Sequence, residues 1–515
     1  MNADPVKEYL VVLVFRAVIV IAAQFVCGLA VLSFFREHTL RRMARAEKFA
    51  FALLFGLAVP ALISLMLLFT GARLNGWWWT STFAVCAALL IARRGSLTRL
   101  SPSPAPVKPL FGSLPIGALV AAGVVVLFAW NIVSSLLLPT TDYDGIVIWS
   151  YRLEVLFNER TIFTESLRDP QRLIAQPLHP YLLPMIEIVY ALTFGSLATA
   201  ATHIPYILVY AVYIALSVSA ARLAPEPRRC AVMAAALLLM PVMATGFSTL
   251  SAREPFMAVY GLAAVFCLAR WQKDRSPEYL ISGAFFALVI QQIKIEGLPF
   301  AAGWMAAALV EGLTTKPDPS AGGFERTSPE AAADQQPVSA PPSRPRSLML
   351  MFALAAALVM LALPWHFVKA GIPRAHADPF MSDYSLSALV SPRHLPFVCM
   401  LILREVLFRP EYYAFAGYAV LVGLGSGWRR RNALRRLVLL AAPVVCLCAV
   451  AAIYSQRQAD LPPERNASIT RRIVVFLPAM VFAAWYLPRG RRKNPPHRTS
   501  TFLMGAVASP PPAEK

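Results

Sequence analysis

The sequence predicts an all-α fold: a polytopic bundle of about thirteen membrane-spanning helices. Three observations carry that expectation. Only 15% of the 515 residues are charged while 57% are hydrophobic, where a soluble domain carries roughly a quarter charged residues. Several apolar runs reach the ~20 residues that a helix needs to cross the hydrocarbon core, and mean hydropathy is +0.57. Short clusters of Arg and Lys punctuate these runs in the manner of cytoplasmic loops.

In chain order the expected spans cover 10–34, 48–70, 77–93, 115–138, 201–223, 230–246, 255–271, 279–293, 298–313, 347–367, 411–427, 437–454 and 470–487. The first run has no small-residue cleavage site and leads into a basic loop, so it reads as a retained span and not a signal peptide. Basic clusters follow at Arg36, Arg41, Arg42, Arg45 and Lys48, at Arg93, Arg94 and Arg99, and at Arg228 and Arg229. They recur at Arg429, Arg430, Arg431, Arg435 and Arg436 and at Arg489, Arg491, Arg492 and Lys493. With these loops inside, the N-terminus falls outside and the C-terminus inside, which requires an odd number of spans. The net charge of +20 is explained by location, so no nucleic-acid partner is expected; the expected partner is the bilayer.

Five segments follow from this pattern. Residues 1–114 are N-terminal membrane helices and 115–314 a membrane core with an external loop at 139–200. Residues 315–346, rich in Pro, Ala, Ser and Gly, cannot bury enough apolar surface to order themselves and read as a disordered cytoplasmic linker. Residues 347–488 are C-terminal membrane helices with external loops, and 489–515 a disordered cytoplasmic tail. The seven cysteines lie in or beside apolar runs without metal-ligand spacing, as small buried hydrophobes do. No metal site or cofactor is expected, although a divalent metal stays open.

The chemistry-bearing residues collect on the non-cytoplasmic side. Asp142 and Asp144, in Thr141-Asp142-Tyr143-Asp144-Gly145, directly follow the fourth span, and charges at such a boundary are rarely kept without a role. Trp149, Leu153, Leu156 and Phe157 then recur at helical spacing with Arg152, Glu154 and Glu159 between them, which predicts an amphipathic interfacial helix. His179-Pro180 opens a further apolar helix, with Pro suited to its first turn. Arg253-Glu254 occupies a second external turn, and Lys294-Ile295-Glu296-Gly297 a third. His366, Lys369, Arg374, His376, Asp378 and Asp383 crowd a later loop, without the His-x-x-x-His pair of a helical zinc site. Arg404 and Glu405 end another apolar stretch. Arg471 and Arg472 open the last span on the external side, against the general charge bias, and an anionic lipid phosphate is a good reason for cations there. Taken singly, Arg253-Glu254 also fits a surface ion pair, and Lys294 a snorkelling lysine.

In their order these elements resemble the GT-C glycosyltransferases, polytopic enzymes that use polyprenyl-phosphate-linked sugars. The group includes the protein mannosyltransferases of glycosyltransferase family 39 and the lipid A aminoarabinose transferases. The resemblance covers 115–313 and, more weakly, extends to 487. Asp142-Tyr143-Asp144 with Trp149 matches the acidic first external loop; bacterial members place an aspartate five residues before a tryptophan, a register that Asp144 fits and Asp142 does not. The His179-Pro180 helix matches an amphipathic helix ending in Phe194-Gly195. Glu254 matches the acid of the second external loop. The span containing Gly283 ends in the Lys-x-x-Gly turn of Lys294 and Gly297. The Lys-x-Lys of those relatives is kept only at Arg152, and Arg253-Glu254 stands where an Ala-Asp-type pair is expected.

The resemblance implies a multi-span GT-C fold with amphipathic helices in a long catalytic loop, in a bacterial inner membrane with the site facing the periplasm. It implies inverting transfer of a sugar from a polyprenyl-phosphate donor to a glycan, lipid or protein acceptor. Asp144 is then the general base, with Asp142 beside it. His179, Glu254 and Trp149 contact acceptor or sugar, and Lys294, Arg253, Arg471 and Arg472 face the lipid phosphate. The alternative class is a transporter or flippase of a lipid-linked or anionic solute. Charges at span ends and the lack of a visible repeat favour the enzyme over it.

Overall fold

A computed structural model of the chain describes residues 5–94, 115–138, 145–164, 166, 180–197, 199–224, 226–248, 254–294, 297–314, 344–370, 407–408, 414, 416–427 and 467–486. Within them the fold is all-helical, with no strand. The helices are α1 (Pro5–Leu32), α2 (Glu37–Arg42), α3 (Arg45–Phe69), α4 (Gly76–Ala92), α5 (Pro115–Leu137), α6 (Tyr151–Glu159), α7 (Leu182–Phe194) and α8 (Thr199–Ala221). They continue as α9 (Pro227–Leu238), α10 (Pro241–Ser248), α11 (Glu254–Asp274), α12 (Pro277–Ile293), α13 (Gly297–Thr314), α14 (Arg344–Ala370), α15 (Ala416–Gly427) and α16 (Ala467–Trp485).

Four of these contain stretches long and apolar enough to cross a membrane: Val12–Leu32, Arg45–Phe69, Gly117–Leu137 and Ala201–Ala221. Shorter apolar helices stand at four of the other expected spans, as Gly76–Ala92, Phe300–Leu313, Met349–Leu361 and Val475–Trp485. The expected span at 411–427 is described as helix from Ala416 to Gly427. The expected span at 437–454, most of the linker, the loop residues 371–406 and the C-terminal tail lie outside the described residues.

One expected span is interrupted. Residues 230–246 form two helices, α9 and α10, instead of one. An unbroken helix would pair the Leu237 carbonyl with the N–H of residue 241, but that residue is proline and has none. The carbonyl accepts instead from the Tyr213 hydroxyl of α8, at 2.5 Å. A buried backbone acceptor therefore keeps a partner, and the break is tolerated.

Packing begins with α1 against α3. A Cβ at Gly28 would meet the Ala52 carbonyl oxygen at 1.6 Å, and one at Gly56 would meet the Gln24 carbonyl oxygen at 1.9 Å. Two backbones can approach this closely only where side chains are missing, the usual device for helices associating in lipid. The Phe51 ring then meets Phe286 edge-on at 5.4 Å and Phe266 at 6.2 Å, joining α3 to α11 and α12. Edge-to-face pairs of this kind add to simple area burial.

The basic end of the bundle is tied by a buried polar network. Arg270 on α11 lies 3.4 Å from Glu47 and 3.2 Å from Asp274, and donates to the Tyr279 hydroxyl and to the Arg42 carbonyl. Tyr279 in turn donates to Glu47 at 2.7 Å. Nearby, Glu278 accepts from the backbone N–H of Arg36 and from Ser276. Charges removed from water are stable only when paired and hydrogen-bonded in this way. The four cysteines at 27, 86, 230 and 267 are buried and unbridged.

At the opposite end three helix starts come together. Followed from the basic end, the Tyr486 hydroxyl donates to the Ala269 carbonyl at 3.1 Å, the Phe266 and Phe482 rings are 6.2 Å apart, and farther along Val475 passes close to Gly261. Numbering rises together along α11 and α16, so the two helices run parallel and begin at one end. Phe300 of α13 stacks on Phe476 at 5.8 Å, which brings the start of α13 to the same place.

Candidate functional site

The centre of that end is an ion pair between two turns far apart in sequence. Lys294 Nζ donates to Glu254 Oε1 at 2.7 Å, and the two side chains are only 13% and 8% exposed. Glu254 is the first residue of α11 and Lys294 caps the C-terminus of α12. Each has a local reason to be where it is: an acid suits a helix N-terminus and a cation a helix C-terminus. Both side chains are largely buried and meet each other at this end of the bundle.

The Lys-x-x-Gly turn explains how Lys294 is held. The Gly297 N–H donates to the Lys294 carbonyl at 2.9 Å. A Cβ at Gly297 would sit 2.2 Å from the Ile290 carbonyl oxygen and 2.6 Å from the Gln291 nitrogen. Only glycine lets the chain fold back against the end of α12 so tightly.

A second assembly forms in the long loop. Gly145–Ser150 is a π-helical turn that runs directly into α6. Trp149 and Leu156 are buried and Glu154 is exposed, as the amphipathic pattern predicts. Arg152 departs from it: expected between the apolar positions, it is fully buried at 0% exposure. Its guanidinium stacks 3.8 Å from the centre of the Tyr181 ring and 5.3 Å from that of Trp149. Burial pulls this guanidinium below its ordinary value while the Tyr181 hydroxyl opposes the shift, and an arginine stays protonated throughout. Arg152 thus pins the first helix of the loop to the residue that precedes α7.

The helix opened by His179-Pro180 also differs from expectation. It begins at Leu182, with Pro184 in its first turn, and ends at Gly195 in the left-handed conformation with φ of 67°. It is not amphipathic: every residue from Leu182 to Ala191 is buried. The reason is its surroundings, since it packs on α1, α3, α6 and α8 at once. Arg16 of α1 donates to the Phe194 carbonyl at 2.9 Å, a cation placed on a helix C-terminus.

Three polar residues not anticipated from the sequence link these two assemblies. The Tyr206 hydroxyl donates to Glu187 at 2.7 Å within the bundle. The Tyr206 ring meets Phe256 edge-on at 4.9 Å, two residues from Glu254. His203, also buried, shares a hydrogen bond with the Ser135 carbonyl at 3.1 Å. The available signal was an ionisable residue inside an apolar run, Glu187 in Leu-Leu-Pro-Met-Ile-Glu-Ile-Val-Tyr, which can be buried only with a hydrogen-bond partner.

Of the expected site residues, Glu254 and Lys294 are therefore joined, and Trp149 stands with Arg152 and Tyr181. Arg471 and Arg472 belong to the second turn of α16, at the end where Glu254 begins α11. Asp142, Asp144, His179 and Arg253 lie outside the described residues. Comparison with known proteins found no matching family model, no similar curated protein and no similar solved structure.

Proposed function

We propose that this chain is a membrane glycosyltransferase of GT-C type, moving a sugar from a polyprenyl-phosphate donor to a glycan, lipid or protein acceptor at the end of the bundle opposite the basic loops. The observation that supports it most is the buried Lys294–Glu254 pair. It unites two of the three external elements that the resemblance treats as one centre, although forty residues separate them. A lysine held beside a carboxylate at a water–lipid boundary is suited to a transient anion, here the phosphate of the departing carrier.

In this reading Asp144 removes the proton from an acceptor hydroxyl as that oxygen attacks the anomeric carbon, a contribution on the order of 10²–10⁴-fold. The bond between the anomeric carbon and the phosphate oxygen breaks, configuration inverts, and polyprenyl phosphate leaves with the bonding electrons. Lys294, Arg253, Arg471 and Arg472 meet the charge that develops on it. Asp142, His179, Glu254 and Trp149 hold the sugar or acceptor. The phosphate ester already activates the sugar, so the reaction draws on no nucleotide.

The test is Asp144→Asn in otherwise intact membranes, with the glycolipids and glycoproteins compared by mass spectrometry. Loss of a product one sugar heavier than its precursor is expected; undiminished product would remove Asp144 from the mechanism. A second reading, transport of a lipid-linked or anionic solute, draws on Glu187 and His203, because ionisable groups inside membrane helices also mark solute paths. It predicts that Glu187→Gln abolishes solute movement in vesicles while Asp144→Asn does not.

A further inference from the structure

A separate cleft opens at the basic end, between α1, α3, α4 and α12. It has a volume of about 620 Å³ and is lined by Ala30, Phe34, Ile63, Ser81, Val85 and Leu89 among others. Phe34, Ile63, Val85 and Leu89 are 58%, 41%, 59% and 40% exposed, so the cleft faces outward from the bundle. Along α4 its wall runs from Ser81 to Leu89, about 12 Å at 1.5 Å per residue. Half of the hydrocarbon core is ~15 Å, so the wall matches the depth of one leaflet.

The mouth of the cleft is cationic. The Arg93 guanidinium carbon lies 4.2 Å from the centre of the Phe34 ring, and Arg93 donates to the Ser33 carbonyl at 3.0 Å. Arg94 follows it and is exposed. Glu278, the acid in the lining, pairs with Arg36 at 3.4 Å and accepts from Ser276, so its charge is already matched. An apolar slot of leaflet depth with a positive rim has the shape and charge of one ligand. We propose that it holds an acyl chain of an anionic glycerophospholipid from the leaflet on the side of the basic loops, with the lipid phosphate at Arg93 and Arg94. The inference is independent of the sugar-transfer reading, since it uses the other end of the bundle.

The test uses the full chain, purified, stripped of lipid and returned to phosphatidylcholine bilayers containing phosphatidylglycerol. Native mass spectrometry then counts the lipids that each protein retains. Wild type should keep phosphatidylglycerol in preference to phosphatidylcholine. Arg93→Gln should weaken that preference about fivefold, the factor one basic side chain carries near an anionic lipid surface. Val85→Trp, at a lipid-facing position, should reduce retention of either lipid by filling the slot. Equal retention by all three proteins would overturn the proposal. So would displacement of phosphatidylglycerol by polyprenyl phosphate, or crosslinks from position 85 to a second copy of the chain. Should Val85→Trp fail to fold, a phosphatidylglycerol with a photoreactive acyl chain decides on wild type: labelling on peptides of α4 supports the site, and labelling elsewhere refutes it.

Discussion

Removing one partner of the Lys294–Glu254 pair should cost far more than removing both. The 2.7 Å contact joins side chains that are 13% and 8% exposed, so either charge alone would be left largely out of water. Breaking such a pair from one side typically costs about 3–5 kcal/mol, whereas replacing both members by uncharged groups of similar size is often near neutral. Lys294→Met and Glu254→Gln should therefore each lower the melting temperature of the purified protein sharply, and the double variant should recover most of that loss. The same three variants separate fold from chemistry. If Lys294 meets a phosphate, the double variant regains stability but not sugar transfer, measured by the appearance of the glycosylated product in isolated membranes. If the pair is only a clamp between α11 and α12, activity returns with stability. That second outcome would remove Lys294 from the chemistry, and single variants as stable as wild type would contradict the cost of stranding a buried charge.

Three further perturbations probe the supports of this site and the basic end. Gly297→Ala places a methyl group 2.2 Å from the Ile290 carbonyl; overpacking of about 1–3 kcal/mol should appear as a lower melting temperature with a disproportionate loss of transfer, because the turn carrying Lys294 must shift. Arg152→Lys keeps the charge but loses the flat face that stacks on Tyr181 and Trp149; a desolvated contact of this kind is worth ~2 kcal/mol, and limited proteolysis should cut the 139–200 loop faster. His38, in the basic loop, is held below the ordinary imidazole range chiefly by desolvation, with Glu278 opposing. Its folded form binds a proton less readily than its unfolded form, so the stability it contributes is present above ~6.5 and lost as pH falls below it. The melting temperature should fall on acidification through that window, and His38→Gln should flatten the slope; an unchanged slope would contradict the assignment.

The membrane character and most helix positions were legible in the sequence because apolar runs and basic loops are local signals. Burial partners were not. Hydrophobic spacing correctly marked Trp149, in the turn before α6, and Leu156, within α6, for burial, but it assigned Arg152 to the solvated side because a guanidinium is ordinarily hydrated. Two aromatic rings, one of them at Tyr181 and nearly thirty residues away, make its burial tolerable, and no local pattern reports them. The break at Pro241 was equally hidden, since a proline within an apolar run is compatible with a continuous membrane helix. What decides it is the Tyr213 hydroxyl, which takes over the Leu237 carbonyl. Glu254 and Lys294 were each legible as candidates, while their union was not, because it depends on how α11 lies against α12.

The distribution of charge along the bundle gives that union its weight. At the basic end Glu47, Asp274 and Glu278 each have an arginine beside them, and hydroxyls of Tyr279 and Ser276 complete two of these contacts. Such a network ties the loop after α1 to the ends of α11 and α12, and its members are drawn from elements that pack there for apolar reasons as well. A clamp is a sufficient account of it. The opposite end is built differently: its pair sits at two helix termini, next to a turn that only glycine allows, and the buried Glu187–Tyr206 contact lies behind it. A turn where any side chain would crowd the Ile290 carbonyl, beside a largely buried cation, is more than a clamp requires. That asymmetry supports the proposed role in chemistry at the Lys294 end and a structural role at the Arg270 end. Arg270→Leu combined with Glu47→Leu should accordingly change stability with little effect on turnover per folded molecule, the reverse of the pattern expected at Lys294.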